Sequence, residues 1–213
     1  MAGCCDPRPY ERLFGAKAAE RDARRDRRSG LGESSRELVR LAGDVTGASV
    51  LDVGGGVGAI ELELLAAGAE RATNVELSRE YERAAAVLLA ERGLSGRVER
   101  RVGDFVVEPV DVHDLVVVHR VVCCYPDVDA LVGAAAARAR RRLLLTYPQE
   151  RRWVRAASRV GNLGFRLFGS GFRTYVDPVA RMVDAAAAKG LAPAERRRHG
   201  WLWESAAFVR SGP

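Results

Sequence analysis

The sequence predicts an α/β protein built on a doubly wound, seven-stranded, mostly parallel sheet. Three observations carry this. Short apolar runs alternate with helical stretches through most of the chain. The runs are nearly continuous in apolar side chains, as strands covered on both faces require. A glycine cluster stands between the first run and the helix after it.

The elements follow in order. Residues 7–28 read as a helix, with Leu13, Ala16, Ala19 and Ala23 near helical spacing among charges. Gly30 and Gly32 interrupt it, and Ser34 or Ser35 is positioned to cap a second helix ending near Gly43. Residues 48–53 are an apolar run stopped by glycines, hence a buried strand. A helix runs from Gly58 to Ala67, with Gly68 as its stop. Residues 71–77 form a strand, and Ser78 is expected to cap a helix through Arg92, stopped by Gly93. Strands at 97–102 and 114–119, an Ala-rich helix at 127–140 and a strand at Leu143–Leu145 continue the alternation. Residues 148–176 break it with an amphipathic, aromatic-rich, arginine-laced helical insertion. A helix from Pro178 to Lys189 follows, stopped by Gly190, and residues 191–210 read as an antiparallel edge hairpin turning near His199-Gly200.

The 213 residues are read as one domain. A helical arm occupies 1–44, a ligand-binding core 45–147, a candidate substrate lid 148–176, and the last helix with its hairpin 177–213. No apolar run reaches the roughly 18 residues of a membrane span. Asp6, Glu11 and early arginines stand where a signal peptide would be apolar, and four cysteines are too few for a disulfide scaffold, so a cytoplasmic location is expected. The net charge of +6 is uneven: +3 over residues 1–40, −8 over 41–137 and +11 over 138–213. Basic ends fit an anionic ligand. Arginine-for-lysine coding bias accounts for most of them more simply, since only Lys17 and Lys189 are lysine. Zinc-finger, RNP-type and aromatic-interleaved basic patterns are missing, which argues against a nucleic-acid partner.

The sharpest motif is Asp52-Val53-Gly54-Gly55-Gly56-Val57-Gly58 between a strand and a helix. Glycines there let the backbone turn tightly and approach a ligand. Asp52 would repel a pyrophosphate and attract a sulfonium or ammonium. Glu76, ending the second strand with Leu77 beside it, can accept both hydroxyls of a ribose. Asp104 and Phe105 follow the third strand, where a carboxylate can accept from an adenine amino group and an aromatic can flank the ring. All three acids could instead cap helices or turns.

These residues resemble the class I S-adenosylmethionine-dependent methyltransferases, strongly over about residues 45–147 and loosely elsewhere. The resemblance implies a Rossmann-like fold. It places Asp52, Gly54, Gly56 and Gly58 around the methionine part of S-adenosyl-L-methionine, Glu76 on its ribose, and Asp104 with Phe105 on its adenine. Residues 114–119 match the fourth-strand motif, whose end faces the reacting methyl. The segment from His119 to Asp127 also resembles actinobacterial methyltransferase-domain proteins described as similar to magnesium-protoporphyrin O-methyltransferase. Residues Tyr10 to Gly15 resemble an N-terminal tyrosine element that closes over the cofactor. A departure is the basic pair His119-Arg120, where many family members carry Asp or Asn.

The implied reaction is methyl transfer to a small-molecule acceptor, expected to be an oxygen nucleophile such as a carboxylate. His119 is the candidate general base or an orienting group, Arg120 the candidate clamp for an acceptor carboxylate, and Tyr125 a candidate pocket residue. The lid would supply Trp153, Arg155, Arg159, Phe165 and Arg166, although a helix pair covering the sheet or a peripheral membrane contact fits the same pattern. Cys123-Cys124 and Cys4-Cys5 lack the usual metal spacing, so no metal is expected and a buried apolar role is the default. His113 and His199 are expected in surface or turn positions. Two rival functions stay open: an NAD(P)-dependent oxidoreductase, and a non-catalytic S-adenosylmethionine-binding sensor or partner subunit.

Overall fold

The computed structural model describes residues 7–210. Its strands are β1 (Ser49–Val53), β2 (Arg71–Glu76), β3 (Val98–Val102), β4 (His113–His119), β5 (Ala139–Pro148), β6 (Leu191–His199) and β7 (Trp203–Arg210). They form one sheet in the order β3-β2-β1-β4-β5-β7-β6. β1 to β5 are mutually parallel, and β7 runs antiparallel to both β5 and β6. The order reverses between β1 and β4, the place where open α/β sheets bind ligands beyond the carboxyl ends of their strands.

The helices are α1 (Pro7–Leu13), α2 (Ala16–Ser29), α3 (Glu33–Ala42), α4 (Ala59–Ala66), α5 (Glu82–Glu91), α6 (Val128–Arg138), α7 (Arg152–Leu167) and α8 (Val179–Ala187). Strand alternation distributes the core. Leu51, Val53, Val116, Val118, Leu143 and Leu145 face α6 and α8. Val50, Leu115, Val117 and Leu144 face α3 and α4. Both sets are almost wholly buried, each such side chain contributing roughly 1.5–3 kcal/mol. A third cluster joins α2, α4 and α5 through Ala19, Ala23, Leu62 and Leu88.

Several boundaries differ from expectation. The helix expected over 7–28 is two, because the chain breaks at Phe14-Gly15, where the Phe14 carbonyl accepts from Ser78 Oγ (2.7 Å). Ser78 is therefore used across the fold, and its side chain caps no helix; a 3-10 turn at Arg79–Tyr81 leads into α5. Ser34 and Ser35 lie inside α3, which begins at Glu33. The helix expected to reach residue 140 stops at Arg138, and β5 is ten residues long, because β4 pairs with it from Ala139 and β7 from Arg142 to Pro148. Ala and Arg favour helix locally, and the sheet pairing overrides them. His113 and His199 are both buried strand residues rather than surface or turn ones. The His113 ring bonds to Thr73 Oγ1 (3.0 Å) and the Asp111 carbonyl (2.9 Å). The His199 Nδ1 lies 3.8 Å from Glu33.

Candidate active site

β1 ends at Val53, and the next residues turn across the carboxyl edge of the sheet. Gly54 has φ +63°, and a Cβ there would sit 2.4 Å from Val121 Cγ2. Only glycine passes between β1 and the turn after β4. A Cβ on Gly55 would lie 2.3 Å from Asn74 Nδ2 and 2.6 Å from the Asp52 carboxylate. The loop thus rests directly on a polar layer.

That layer is a buried charge cluster on the α4 face of the sheet. It contains Asp52, Glu61, Asn74 and Arg100. Asn74 Nδ2 donates to Glu61 Oε2 (2.9 Å), and Arg100 donates to the Gly56 carbonyl and to Glu82 (each 2.9 Å). Neither carboxylate oxygen of Asp52 has a hydrogen-bond partner among the described residues. Burial pushes both the Asp52 and Glu61 carboxyls well above their ordinary range; Arg100 opposes this for each. Sequence reading picked out Asp52 but missed Glu61, Asn74 and Arg100 beneath the loop. Their only trace was the acid in the first turn after Gly58.

The acid at the tip of β2 is arranged differently. Glu76 Oε2 accepts from the Gly56 amide and Oε1 from the Ser78 amide, both at 2.9 Å. The carboxylate is thereby fixed at the cavity wall, with further lone pairs on both oxygens. Burial raises its pKa, against those backbone bonds. Beyond β3, Asp104 accepts from the Val106 amide (3.1 Å) and from Tyr125 Oη (3.1 Å). Phe105 is buried beside it, and the Arg138 guanidinium lies 5.0 Å from its ring.

At the tip of β4, His119 Nε2 lies 3.1 Å from Ser34 Oγ and 3.4 Å from Ser35 Oγ. Burial, with Arg120 and His199 nearby, pushes its pKa down to about 3. A ring so hard to protonate orients better than it accepts protons. Arg120 is the one described non-glycine residue with positive φ, at +60°, a conformation L-residues adopt at a cost. Its guanidinium stacks 4.6 Å from the Trp203 ring and donates to Ser34 Oγ (2.9 Å). The two serines read as helix caps therefore serve the site.

The arm straps over the top. Tyr10 Oη donates to the Cys124 carbonyl on the β4 side. On the β2 side Phe14 receives Ser78, and Asp22 receives Tyr81 Oη (2.9 Å). Arg92 pairs with buried Asp26 at 2.7 Å, tying α2 to α5. The result is a cavity of about 530 Å³, within the range of small-molecule sites. Its wall includes Tyr10, Asp52, Gly54, Gly55, Gly56, Glu76, Leu77, Asp104, Phe105, His119, Arg120 and Tyr125. Of the candidates, Gly58 is missing from the wall: at φ +85° it turns the chain into α4, with a Cβ position 2.2 Å from Glu61. The expected lid residues Trp153, Arg155, Arg159, Phe165 and Arg166 are not in the wall either. Phe165 instead packs edge-on against Phe172, which packs on Tyr10 and Phe14. Cys123 and Cys124 are half-buried thiols in the turn after β4, not the fully buried residues expected; Cys4-Cys5 lies outside the described residues. Among the described residues, no group of three or more His, Cys, Asp or Glu is placed to hold a metal ion.

This seven-stranded, mostly parallel sheet matches the Rossmann-like fold of solved S-adenosylmethionine-dependent methyltransferases. The chain is similar to magnesium protoporphyrin IX methyltransferase from Synechocystis PCC 6803, solved with bound SAH, at TM-score 0.67 and 19% identity over 95% of this chain and 93% of that one. It is similar to geranyl diphosphate C-methyltransferase from Streptomyces coelicolor A3(2) at TM-score 0.67 and 14% identity, over 83% and 76%. An S-adenosylmethionine-dependent methyltransferase from Mesorhizobium loti gives TM-score 0.68 and 13% identity, over 84% and 99%. No family model and no curated protein sequence matches the chain.

Proposed function

We propose that the protein is an S-adenosylmethionine-dependent methyltransferase acting on a small-molecule acceptor. The observation that carries this is Glu76, fixed by two backbone amides at the wall of a cavity that also contains the glycine turn, Asp104 and Phe105. The site fits the cofactor on its own features. Gly54, Gly55 and Gly56 stand in the cavity wall and present backbone without side chains there. Glu76 retains acceptor capacity for two vicinal hydroxyls. Asp52, buried beneath the turn and without a hydrogen-bond partner among the described residues, lies under the position of an ammonium or sulfonium, whose charge would favour its ionised form against the burial that raises its pKa. Bound there, S-adenosylmethionine supplies an activated methyl for in-line displacement by the acceptor.

The chain's own residues orient and enclose. Tyr10 and the arm exclude water from above. His119, neutral across the physiological range, positions a partner through its ring. A neutral, weakly basic histidine suits an acceptor already deprotonated at neutral pH, which favours O-methylation of a carboxylate over that of an alcohol. Arg120 and Arg25, both at the cavity wall, suit such an anion. Porphyrin carboxylates are one candidate of this class, supported by the fold likeness to a magnesium protoporphyrin IX methyltransferase. An NAD(P)-dependent oxidoreductase is disfavoured, because the Gly56 amide that would hold a pyrophosphate is already committed to Glu76. A cavity whose wall continues past the ribose and adenine residues to Arg120 and Arg25 favours an enzyme over a sensor.

Calorimetry with S-adenosylhomocysteine tests the reading. Folded wild-type protein binds it, and Glu76→Ala weakens binding by about 1–3 kcal/mol. Folded protein that does not bind, or unchanged affinity in the variant, overturns the assignment.

A further inference from the structure

α7 is amphipathic in an unusual sense: its apolar stripe faces solvent. Only Val154 is buried on the helix. Ser158 and Asn162, one turn apart, tie the inner face to Thr174 through bonds of 2.8–3.0 Å. On the outer face Trp153, Val160, Leu163 and Leu167 recur at helical spacing, and Phe168 follows at the end. Val160 is 71% exposed, Leu167 75% and Phe168 90%. Isolated exposed apolar residues are ordinary, but a contiguous stripe marks an interaction surface.

The charge says what covers it. Residues 148–176 hold six arginines and one acid, a net +5. Arg155 pairs with that acid, Glu150, at 2.5 Å. Arg152, Arg159 and Arg166 have no ion-pair partner among the described residues, and helical spacing puts all three along one flank of the stripe. A second copy docking through the same face would set +5 against +5, which disfavours self-association. An anionic surface reverses that sign. The arrangement is that of an interfacial helix: apolar residues immersed, long basic side chains reaching phosphates, aromatics at the ends. The β6–β7 turn adds to the same surface. Trp201 there is 81% exposed, and its neighbour Leu202 accepts through its carbonyl from the amide of Gln149, which leads into α7.

We propose that α7, with the Trp201 turn, docks the protein on an anionic lipid surface. The helix is linked to the cavity through Phe165 and Phe172, which pack onto the arm residues Tyr10 and Phe14.

Co-sedimentation of the full chain with vesicles tests this independently of any cofactor. Wild type pellets with vesicles of equal parts phosphatidylglycerol and phosphatidylcholine, and at least about tenfold less with phosphatidylcholine alone. Replacing Arg152, Arg159 and Arg166 together by Gln weakens binding on the order of a hundredfold. The pair Leu167→Ser and Phe168→Ser, both exposed, lowers it at least about tenfold with an unchanged thermal midpoint. Wild type staying in the supernatant with both vesicles overturns the proposal and leaves an acidic protein as the occupant. So does equal binding by the variants, or a solution dimer that the Leu167→Ser and Phe168→Ser pair dissociates.

Discussion

His119 illustrates how an environment can tune one side chain. Unfolded, it titrates near 6.5; in the fold it resists protonation down to about 3. The stability it contributes is therefore present above pH about 6.5 and is lost as pH falls toward 3. NMR of its ring protons is expected to show a neutral imidazole through the range where ordinary histidines titrate. A midpoint near 6.5 would return it to the candidate general bases. Glu76 and Asp104 were legible as single letters because they follow strand ends, where the ligand edge must lie. The partners Ser34 and Ser35 were not. Serine near a helix start reads as a cap, and nothing local reveals that α3 carries both to the tip of β4, 85 residues away.

Among the elements, the glycine turn was readable and its reason was not. The pattern 54–58 announces a tight turn; that Gly55 rests on Asn74 and Asp52 needs the register of β1 with β2, which pairs those two residues. Gly55→Ala forces that layer apart. The expected cost is about 1–3 kcal/mol of stability, with S-adenosylhomocysteine affinity lowered at least about tenfold by displacement of the loop. A thermal melt and a titration check it; an unaltered melt and affinity would mean the layer yields freely. The β5 boundary was misread because Ala139 to Arg142 favour helix locally while β4 and β7 claim them as strand. The α7 segment was recognised as amphipathic. Periodicity alone does not say which face meets the core, and here the arginines and most of the apolar side chains both point outward.

At the scale of the molecule, parallel strands deliver the tips of β1 to β4 to one edge, and the arm closes over it. The acidic middle of the sequence supplies the cavity carboxylates Asp52, Glu76 and Asp104, and the basic C-terminal part supplies α7. Alternation of strands and helices was legible because continuous apolar runs have no other comfortable place than a doubly covered sheet. The strap was legible only as the resemblance carried by Tyr10 to Gly15; its contacts were not, because its bonds join residues over 60 positions apart, as Phe14 with Ser78 and Tyr10 with Cys124. The crystal structure of the complex with S-adenosylhomocysteine tests the central claim most directly. The account predicts both ribose hydroxyls within hydrogen-bond distance of Glu76, the adenine beside Phe105 and Asp104, and the sulfur facing the tip of β4. A nucleoside bound away from Glu76, or no density in the cavity at saturating ligand, would contradict it.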